Sequence, residues 1–151
     1  MKIAFTASSG GHLEEISMLK SISDSYDSFL VTEKTDFFSN SLCSKVYLVS
    51  QINRKEVLFI PKFFVLFLKS LYILIKEKPD CIISLGALAT VPLCVLAKIL
   101  GKKVVYIESF ARVEELSITG KIMYKVADLF IVQWEALMKK YPKTVYCGGI
   151  F

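Results

Sequence analysis

The residues best suited to acid–base chemistry lie in the segment Ser-Ser-Gly-Gly-His at positions 8–12, which ends with the only histidine of the chain, His12. An imidazole has an ordinary pKa of about 6.5, so it can accept or release a proton near neutral pH. The two glycines allow the backbone to turn sharply and to lie close to a ligand. The segment is therefore a candidate ligand site in which His12 could act as a general base. The alternative is that His12 only shapes the turn.

The residues around this turn argue against a nucleotide site. The segment has neither the Gly-x-Gly-x-x-Gly pattern nor a Walker loop. Glu14 and Glu15 follow in the first turn of the next predicted helix, where carboxylates stabilise the helix dipole and would repel a phosphate. Helix capping is the structural role expected of both, and for Glu14 it is favoured over a functional role. The alternative function, a stand-alone nucleotide- or cofactor-binding Rossmann enzyme, also needs an acidic residue about twenty positions further on, and Glu33 alone is weak support for it.

Two later segments carry further polar candidates. Gly86 comes directly after an apolar run and leaves room for a ligand, and Glu108 and Arg112 lie in the polar stretch 108–120. A guanidinium group can bind a phosphate or a carboxylate with two parallel hydrogen bonds. We predict that these three residues line the same site as His12. The alternative for Arg112 is an ion pair with Glu108 or Glu115.

Strand-like and helix-like segments alternate along the chain and would hold these candidates together. Apolar runs predict strands at 3–7, 29–32, 46–49, 81–85, 104–107, 129–132 and 144–147. Helical patterns lie at 13–23, 57–76, 89–100, 118–127 and 135–140. This alternation predicts an α/β fold, a Rossmann-like parallel sheet with helices on both faces, and residues 1–151 as a single domain. Ligands of such sheets bind beyond the carboxyl ends of the strands, which the candidate residues follow.

The predicted helix 57–76 is unusually apolar. Pro61 and two lysines interrupt the run before its end, so a membrane crossing is not predicted. Three lysines spaced by seven residues form one narrow stripe, and lysine stems can lie along apolar surface while their charges reach lipid headgroups. We predict peripheral membrane contact through Lys62, Phe63, Phe64, Phe67, Lys69 and Lys76. The alternative is a buried crossover helix whose lysines mark its one exposed edge.

Composition supports a membrane or protein partner and argues against nucleic acid. The net charge is +5, and only Arg54 and Arg112 among the 19 basic residues are arginines, the side chains that dominate base and phosphate recognition. Hydrophobic residues make up 54% of the chain, which suggests apolar surface that something other than water covers. Lysine-rich and apolar surfaces together suit an anionic membrane.

The cysteines do not predict a metal site. Four cysteines lie far apart, at 43, 81, 94 and 147, and the chain has no Cys-x-x-Cys pair. Cys81, Cys94 and Cys147 lie in apolar runs, and we interpret these three as buried thiols in a reducing compartment. We predict no metal and no cofactor. Met1 leads directly into the first predicted strand, so no signal peptide is expected and a cytoplasmic location is predicted.

Several longer strings make the chain resemble a known family. They are SGGHLEE, LGALATVP, YIESFARVEELSITGKIMY, ADLFIVQWE and YPKTVYCGGIF, and they extend from about residue 5 to the last residue. Together they resemble the membrane-anchoring, acceptor-side subunit of two-component UDP-sugar glycosyltransferases, an oligosaccharide biosynthesis protein of the asparagine-linked-glycosylation type. Bacterial relatives act as enhancer subunits in capsular and exopolysaccharide synthesis.

The resemblance implies a fold and a division of labour. It implies that the chain is equivalent to the N-terminal half of a GT-B glycosyltransferase, while a separate catalytic subunit supplies the other half and binds the UDP-sugar. This chain would then dock on the cytoplasmic face of the membrane and present a lipid-linked acceptor. The resemblance implies that the cleft between the subunits is lined by Ser9, Gly10, Gly11 and His12, with Glu108 and Arg112 as secondary candidates. His12 would deprotonate or orient the acceptor hydroxyl there. A subunit that only recruits its partner, with no chemistry of its own, is the alternative.

One departure from the family pattern bears on attachment. Eukaryotic members carry an N-terminal transmembrane helix, and this sequence begins at the first strand. The resemblance therefore leaves attachment to a surface such as the helix at 57–76.

Overall fold

The computed structural model describes residues 1–35, 41–53 and 56–150. Strands in this part of the chain are β1 (Lys2–Ala7), β2 (Asp27–Glu33), β3 (Lys45–Val49), β4 (Cys81–Leu85), β5 (Lys103–Ile107), β6 (Leu129–Val132) and β7 (Thr144–Tyr146). The α-helices are α1 (Gly11–Ser17), α2 (Lys20–Ser25), α3 (Phe59–Glu77), α4 (Val91–Ile99), α5 (Ile118–Val126) and α6 (Glu135–Lys140).

The strands form one parallel sheet in the order β3-β2-β1-β4-β5-β6-β7. The central strands end at the same level, because Ala7 pairs with Thr32 on one side and with Leu85 on the other. Leu85 in turn pairs with Ile107 of β5. The segments that follow β1, β2, β4 and β5 therefore meet at the carboxyl edge of the sheet.

Helices cover both faces of this sheet. On one face, α3, α4 and α5 contribute Leu66, Ile73, Leu93 and Met123 to a buried cluster with Phe29, Ile82, Val104 and Phe130. On the other face, Leu13 and Ile16 of α1 pack with Phe5, Leu30, Ile83 and Ile107. The predicted α/β fold, with a parallel sheet between helical layers, is confirmed.

The predicted element bounds are close to the observed ones, with two differences. The strands end within two residues of the prediction, but the helix predicted at 13–23 is two short helices. The Ser17 hydroxyl donates to the Leu13 carbonyl at 2.6 Å, and the backbone of Leu19 has left the helical region. Such a side-chain bond competes with the helical ladder, which is consistent with the break. The helix predicted at 89–100 begins with a separate 3-10 turn at Leu88–Thr90.

A buried carboxylate fixes the end of α3 to the sheet. Glu77 lies 2.7 Å from the Lys2 ammonium and 2.6 Å from the Lys45 ammonium, and it also accepts a hydrogen bond from the Tyr47 hydroxyl. The bonds from Lys2, Lys45 and Tyr47 lower the pKa of Glu77 to about 2. The helix that separates β3 from β4 is thus tied to both β1 and β3.

Replacing this group should destabilise the fold in a pH-dependent way. Glu77→Gln is expected to lower the free energy of unfolding at neutral pH by about 1–3 kcal/mol, because buried charge-assisted hydrogen bonds are lost. The carboxyl pKa is about 2 when folded and 4.5 ordinarily, so its contribution is complete above pH 4.5 and disappears as the pH falls toward 2. Urea unfolding across this range should therefore show the difference between variant and wild type narrowing in acid.

A matched control separates this effect from general charge loss. Glu135 is an exposed carboxylate in the first turn of α6, and Glu135→Gln should follow the wild type at every pH. A stability difference for Glu77→Gln that stays constant from neutral pH into the acid range would contradict the assignment.

Candidate functional site

The Gly-Gly-His turn lies at the carboxyl end of β1, where α1 begins. Gly10 has a positive φ of 75°, a conformation that favours glycine, and α1 starts at Gly11. His12 is the second residue of this helix and lines two neighbouring open cavities of about 500 and about 310 Å³. The turn therefore lies at the carboxyl edge of the sheet, as predicted.

Gly86 is held against the histidine from the next strand. It has a φ of 138°, and a Cβ atom at this position would lie 2.9 Å from His12 Cδ2 and 2.9 Å from the Ser8 backbone nitrogen. A side chain there would push the imidazole and the β1 turn away. The structure thus brings Gly86 and His12 together, and it gives a steric reason for glycine.

Ser9 contributes to the turn through a carboxylate of β2. Its backbone N–H and its hydroxyl donate to Glu33 Oε2 at 3.2 and 3.3 Å, while the Ile52 N–H donates to Glu33 Oε1 at 3.3 Å. Glu33 is buried. Its carboxylate joins two loops, so it is already occupied and does not serve a ribose as the nucleotide-enzyme alternative requires.

Glu108 lines the smaller cavity and organises the start of α5. This buried carboxylate accepts hydrogen bonds from Ser117 N–H at 3.0 Å, from the Ser117 hydroxyl at 3.2 Å and from Ser109 N–H at 3.1 Å. Burial raises the pKa of Glu108 despite these bonds. Gly120 provides the space, because a Cβ atom there would lie only 1.9 Å from Glu108 Oε2.

Arg112 lies across the smaller cavity from His12 and is exposed. Within residues 1–35, 41–53 and 56–150 its guanidinium makes no ion pair with a carboxylate, and Glu115 pairs instead with Lys140 and Lys121. The alternative that Arg112 is tied to Glu108 or Glu115 is therefore wrong. The guanidinium remains available to an anionic ligand at the mouth of the site.

Glu15 is the residue whose position sequence reasoning missed. It was expected to cap α1, but its side chain is buried and accepts hydrogen bonds from the Ser109 hydroxyl at 3.0 Å, from Phe110 N–H at 2.6 Å and from Gln133 at 3.0 Å. The capping prediction for Glu15 is wrong, because these contacts come from loops about a hundred positions away. The three-residue spacing from His12, which places the two on adjoining helical positions, was the available signal.

Gln133 connects the same loops from the end of β6. Its Nε2 group donates to Glu15 Oε1 and to the Glu108 carbonyl, both at 3.0 Å, and its Oε1 accepts from Ile150 N–H at 3.0 Å. The neighbouring Trp134 indole donates to the Phe110 carbonyl at 2.6 Å. Segments after β1, β5, β6 and β7 are thereby joined around the site.

The surroundings of His12 favour the neutral imidazole. Burial lowers its pKa, and the nearby charge of Arg112 acts in the same direction, while Glu15 and Glu33 oppose the change. The His12 Nδ1 atom lies 3.8 Å from Glu15 Oε2, and the side chain is one-third exposed. At neutral pH, a neutral and accessible imidazole can accept a proton from a hydroxyl group.

The lysines of the predicted membrane stripe all lie along one edge of α3. Lys62 pairs with Glu56, and Lys69 donates to the Leu48 carbonyl. The Lys76 ammonium lies 5.6 Å from the ring centroids of both Tyr47 and Tyr72. The stripe therefore runs beside β3, at the border between the buried and exposed faces of the helix.

The outward face of α3 is apolar and exposed. It carries Ile60, Phe64, Val65, Leu68, Tyr72 and Ile75, of which Ile60 is 77% and Phe64 61% exposed. Of the other two predicted phenylalanines, Phe63 is half-buried and stacks on Phe59, and Phe67 packs against the core. Of the three predicted phenylalanines, Phe64 is therefore the exposed one, and it lies beside aliphatic residues that the prediction did not include.

Two features are absent from residues 1–35, 41–53 and 56–150. No helix among them has both the length and the apolar character that a bilayer crossing requires. No group of three or more histidine, cysteine, aspartate or glutamate side chains among them is arranged to hold a metal ion.

Comparison with solved structures places the fold. The chain superimposes on UDP-N-acetylglucosamine 2-epimerase from Rickettsia bellii with a TM-score of 0.75 and 17% identity, covering 99% of this chain and 45% of that one. For MurG of Acinetobacter baumannii the TM-score is 0.67 and the identity is 14%, and the match covers 87% of this chain and 41% of MurG. The predicted Rossmann-like fold is confirmed, and it corresponds to somewhat less than half of each of these larger proteins.

Comparison with sequences gives the family. The chain is 52% identical over 81 residues to the UDP-N-acetylglucosamine transferase subunit ALG14 of Homo sapiens, covering 50% of this chain and 38% of the human protein. It is 35% identical over 165 residues to the subunit alg14 of Schizosaccharomyces pombe, covering 93% of this chain and 79% of the yeast protein. The alignments with the human, rat and mouse proteins thus span about two fifths of those relatives.

A match to one family extends over almost the entire sequence. Residues 3–150 fit the family described as "Oligosaccharide biosynthesis protein Alg14 like". This range includes both the site around His12 and the apolar helix α3. The chain therefore belongs to the Alg14-like family of oligosaccharide biosynthesis proteins.

Proposed function

We propose that this chain is the accessory subunit of a two-part glycosyltransferase. It docks on a membrane, binds a lipid-linked acceptor and recruits a catalytic subunit that holds the UDP-sugar. The names of the human and fission-yeast relatives support this division, since each is called a UDP-N-acetylglucosamine transferase subunit. By the same names, the donor held by the partner is UDP-N-acetylglucosamine.

The observation that carries the proposal is the position of His12. It stands at the carboxyl edge of the sheet, between two open cavities, with a lowered pKa and with Arg112 across the smaller cavity. An acceptor hydroxyl placed here would lose its proton to His12 while its oxygen forms a bond to the anomeric carbon of the donor. The bond from that carbon to the diphosphate breaks, and UDP leaves.

Each candidate residue has a role in this arrangement. Ser9, Gly10, Gly11 and Gly86 shape the turn that carries His12, and Glu108 fixes the loop that carries Arg112. The Arg112 guanidinium is placed to bind the acceptor diphosphate, because it is exposed and its charge is unmatched among the described carboxylates. Residues 1–151 act together as one acceptor-binding and membrane-associating domain of a heterodimer.

Membrane attachment follows from α3. This helix begins after the carboxyl end of β3, so its exposed residues Ile60 and Phe64 lie toward the same edge of the sheet as His12. A lipid surface that covers them would bring a lipid-linked acceptor close to the site. We infer peripheral attachment at the cytoplasmic face, in the assembly of lipid-linked oligosaccharides or of capsular and exopolysaccharides.

A reconstitution experiment tests the division of labour. The purified chain is incubated with labelled UDP-N-acetylglucosamine and a lipid-linked sugar diphosphate, alone and together with a second chain that resembles the C-terminal half of a GT-B enzyme. We expect no transfer by either protein alone and transfer by the co-purified pair. Robust transfer by this chain alone would overturn the proposal and favour a stand-alone enzyme.

A further inference from the structure

The strongest unassigned feature of the site is the carboxylate of Glu15. A carboxylate has about four acceptor positions. Glu15 Oε1 accepts from Phe110 N–H and from Gln133 Nε2, and Glu15 Oε2 accepts from the Ser109 hydroxyl. One position remains, on Oε2, which is the oxygen nearest to His12 at 3.8 Å from Nδ1.

On the side of the His12 ring away from Glu15, the imidazole packs against the backbone at Gly86. The Cδ2 edge of His12 faces Gly86, where even a Cβ atom would come within 2.9 Å. The ring therefore lies between Gly86 and Glu15. Catalytic hydrogen bonds are often long in unliganded sites and shorten when substrate binds.

We propose that Glu15 is the positioning residue of His12, holding the Nδ1 edge of the ring so that Nε2 faces the acceptor cavity. In the neutral ring, the proton then resides on Nδ1 and the lone pair on Nε2 is free to accept the acceptor proton. Once Nε2 is protonated, the carboxylate stabilises the resulting imidazolium. The catalytic consequence rests on the proposed function, but the geometry and the tautomer do not.

The network gives Glu15 an orientation that an ordinary helix-end carboxylate lacks. Its donors come from the loops after β5 and β6, so the fold fixes the carboxylate before any ligand arrives. Other charged groups near His12 are Arg112, Glu33 and Glu108. Of these carboxylates, only Glu15 lies within ion-pair distance of the imidazole, with Oε2 3.8 Å from His12 Nδ1.

Nuclear magnetic resonance can test the tautomer directly, because His12 is the only histidine of the chain. Nitrogen-15 spectra of the unaltered protein above the His12 pKa should show the proton on Nδ1 and an unprotonated Nε2. This measurement needs neither a partner nor activity. A predominantly Nε2-protonated ring would overturn the proposal, whatever the behaviour of any variant.

Two matched variants test the source of the effect. Glu15→Gln removes the buried charge and should lower the His12 pKa and reduce the preference for the Nδ1 proton. Glu14→Gln removes one charge from the same helical turn, but Glu14 is exposed. Glu14→Gln should leave the His12 tautomer unchanged, and it should shift the His12 pKa less than Glu15→Gln does. Equal shifts in the two variants would mean that Glu15 acts only as a diffuse charge, and the proposal would be rejected.

Kinetics of the assembled transferase complete the test. Glu15→Gln should reduce kcat by about 10- to 100-fold, as expected when a catalytic group loses its orientation, with little change in acceptor KM. Glu15→Asp should recover part of this loss, and the exposed Asp24→Asn should match the unaltered complex. If the tautomer depends on Glu15 but His12→Ala leaves kcat unchanged, the positioning inference stands and the proposed catalytic role fails.

Discussion

Replacing His12 with alanine is expected to lower kcat of the assembled transferase by about 10²- to 10⁴-fold, which is the usual contribution of a general base. The substitution removes a side chain that is one-third exposed and borders two open cavities rather than the core. Folding should therefore be little affected, and the acceptor KM should change far less than kcat. Initial rates of sugar transfer to a lipid-linked acceptor, measured at saturating donor, check this result.

The pH profile supplies an independent readout. A base must be neutral to act, so kcat should fall as the pH drops through the His12 pKa. Because burial and Arg112 lower that pKa, the acidic limb should lie below the range of an ordinary histidine, and it should be absent from the His12→Ala profile. Co-purification with the partner subunit serves as the control for assembly. Unchanged turnover with assembly intact would instead favour a subunit that only recruits.

The arrangement of the sheet could be predicted because its strands are buried on both faces. Segments such as 81–85 and 129–132 are nearly continuous apolar runs, and the structure gives both the predicted bounds. Once the strands are known, the carboxyl-edge rule locates the loops after them. This reasoning correctly brought Gly86, Glu108 and Arg112 to the neighbourhood of His12.

The roles of individual carboxylates could not be predicted in the same way. Glu14 and Glu15 are adjacent and chemically identical, yet one is exposed and the other is buried against the loops of β5 and β6. That difference depends on Ser109 and Gln133, which are about a hundred positions away in sequence. The local sequence pattern favours helix capping for both glutamates, and only the tertiary structure shows that their roles differ.

The faces of α3 show a similar limit. Periodicity placed Lys62, Lys69 and Lys76 on one stripe, as observed, but it does not say which neighbouring stripe is buried. Because α3 crosses between β3 and β4 and packs on the sheet, Phe67 faces inward and Phe64 outward. The apolar surface that the composition suggested therefore lies beside the three lysines of α3, on the side of the helix that faces away from the sheet.

Binding to membranes is expected to depend strongly on the exposed apolar face of α3. Combined replacement of Ile60, Phe64 and Leu68 with serine should reduce binding to anionic vesicles by more than about 100-fold. Burying one large apolar side chain contributes about 1.5–3 kcal/mol, so the loss of three exceeds the 2.7 kcal/mol that a hundredfold change represents, even if burial in the lipid is partial. Co-sedimentation with vesicles containing phosphatidylglycerol, at several lipid concentrations, measures the change.

Two controls decide which feature of α3 binds lipid. Met18→Ser alters an exposed apolar side chain at the end of α1, on the opposite side of the sheet, and should leave vesicle binding intact. Charge reversal of Lys62, Lys69 and Lys76 should weaken binding mainly at low ionic strength, because each lysine near an anionic surface contributes about 1 kcal/mol and salt screens it. The apolar variant should lose binding at low and high salt alike. Undiminished co-sedimentation of a folded serine variant would contradict membrane binding through this face.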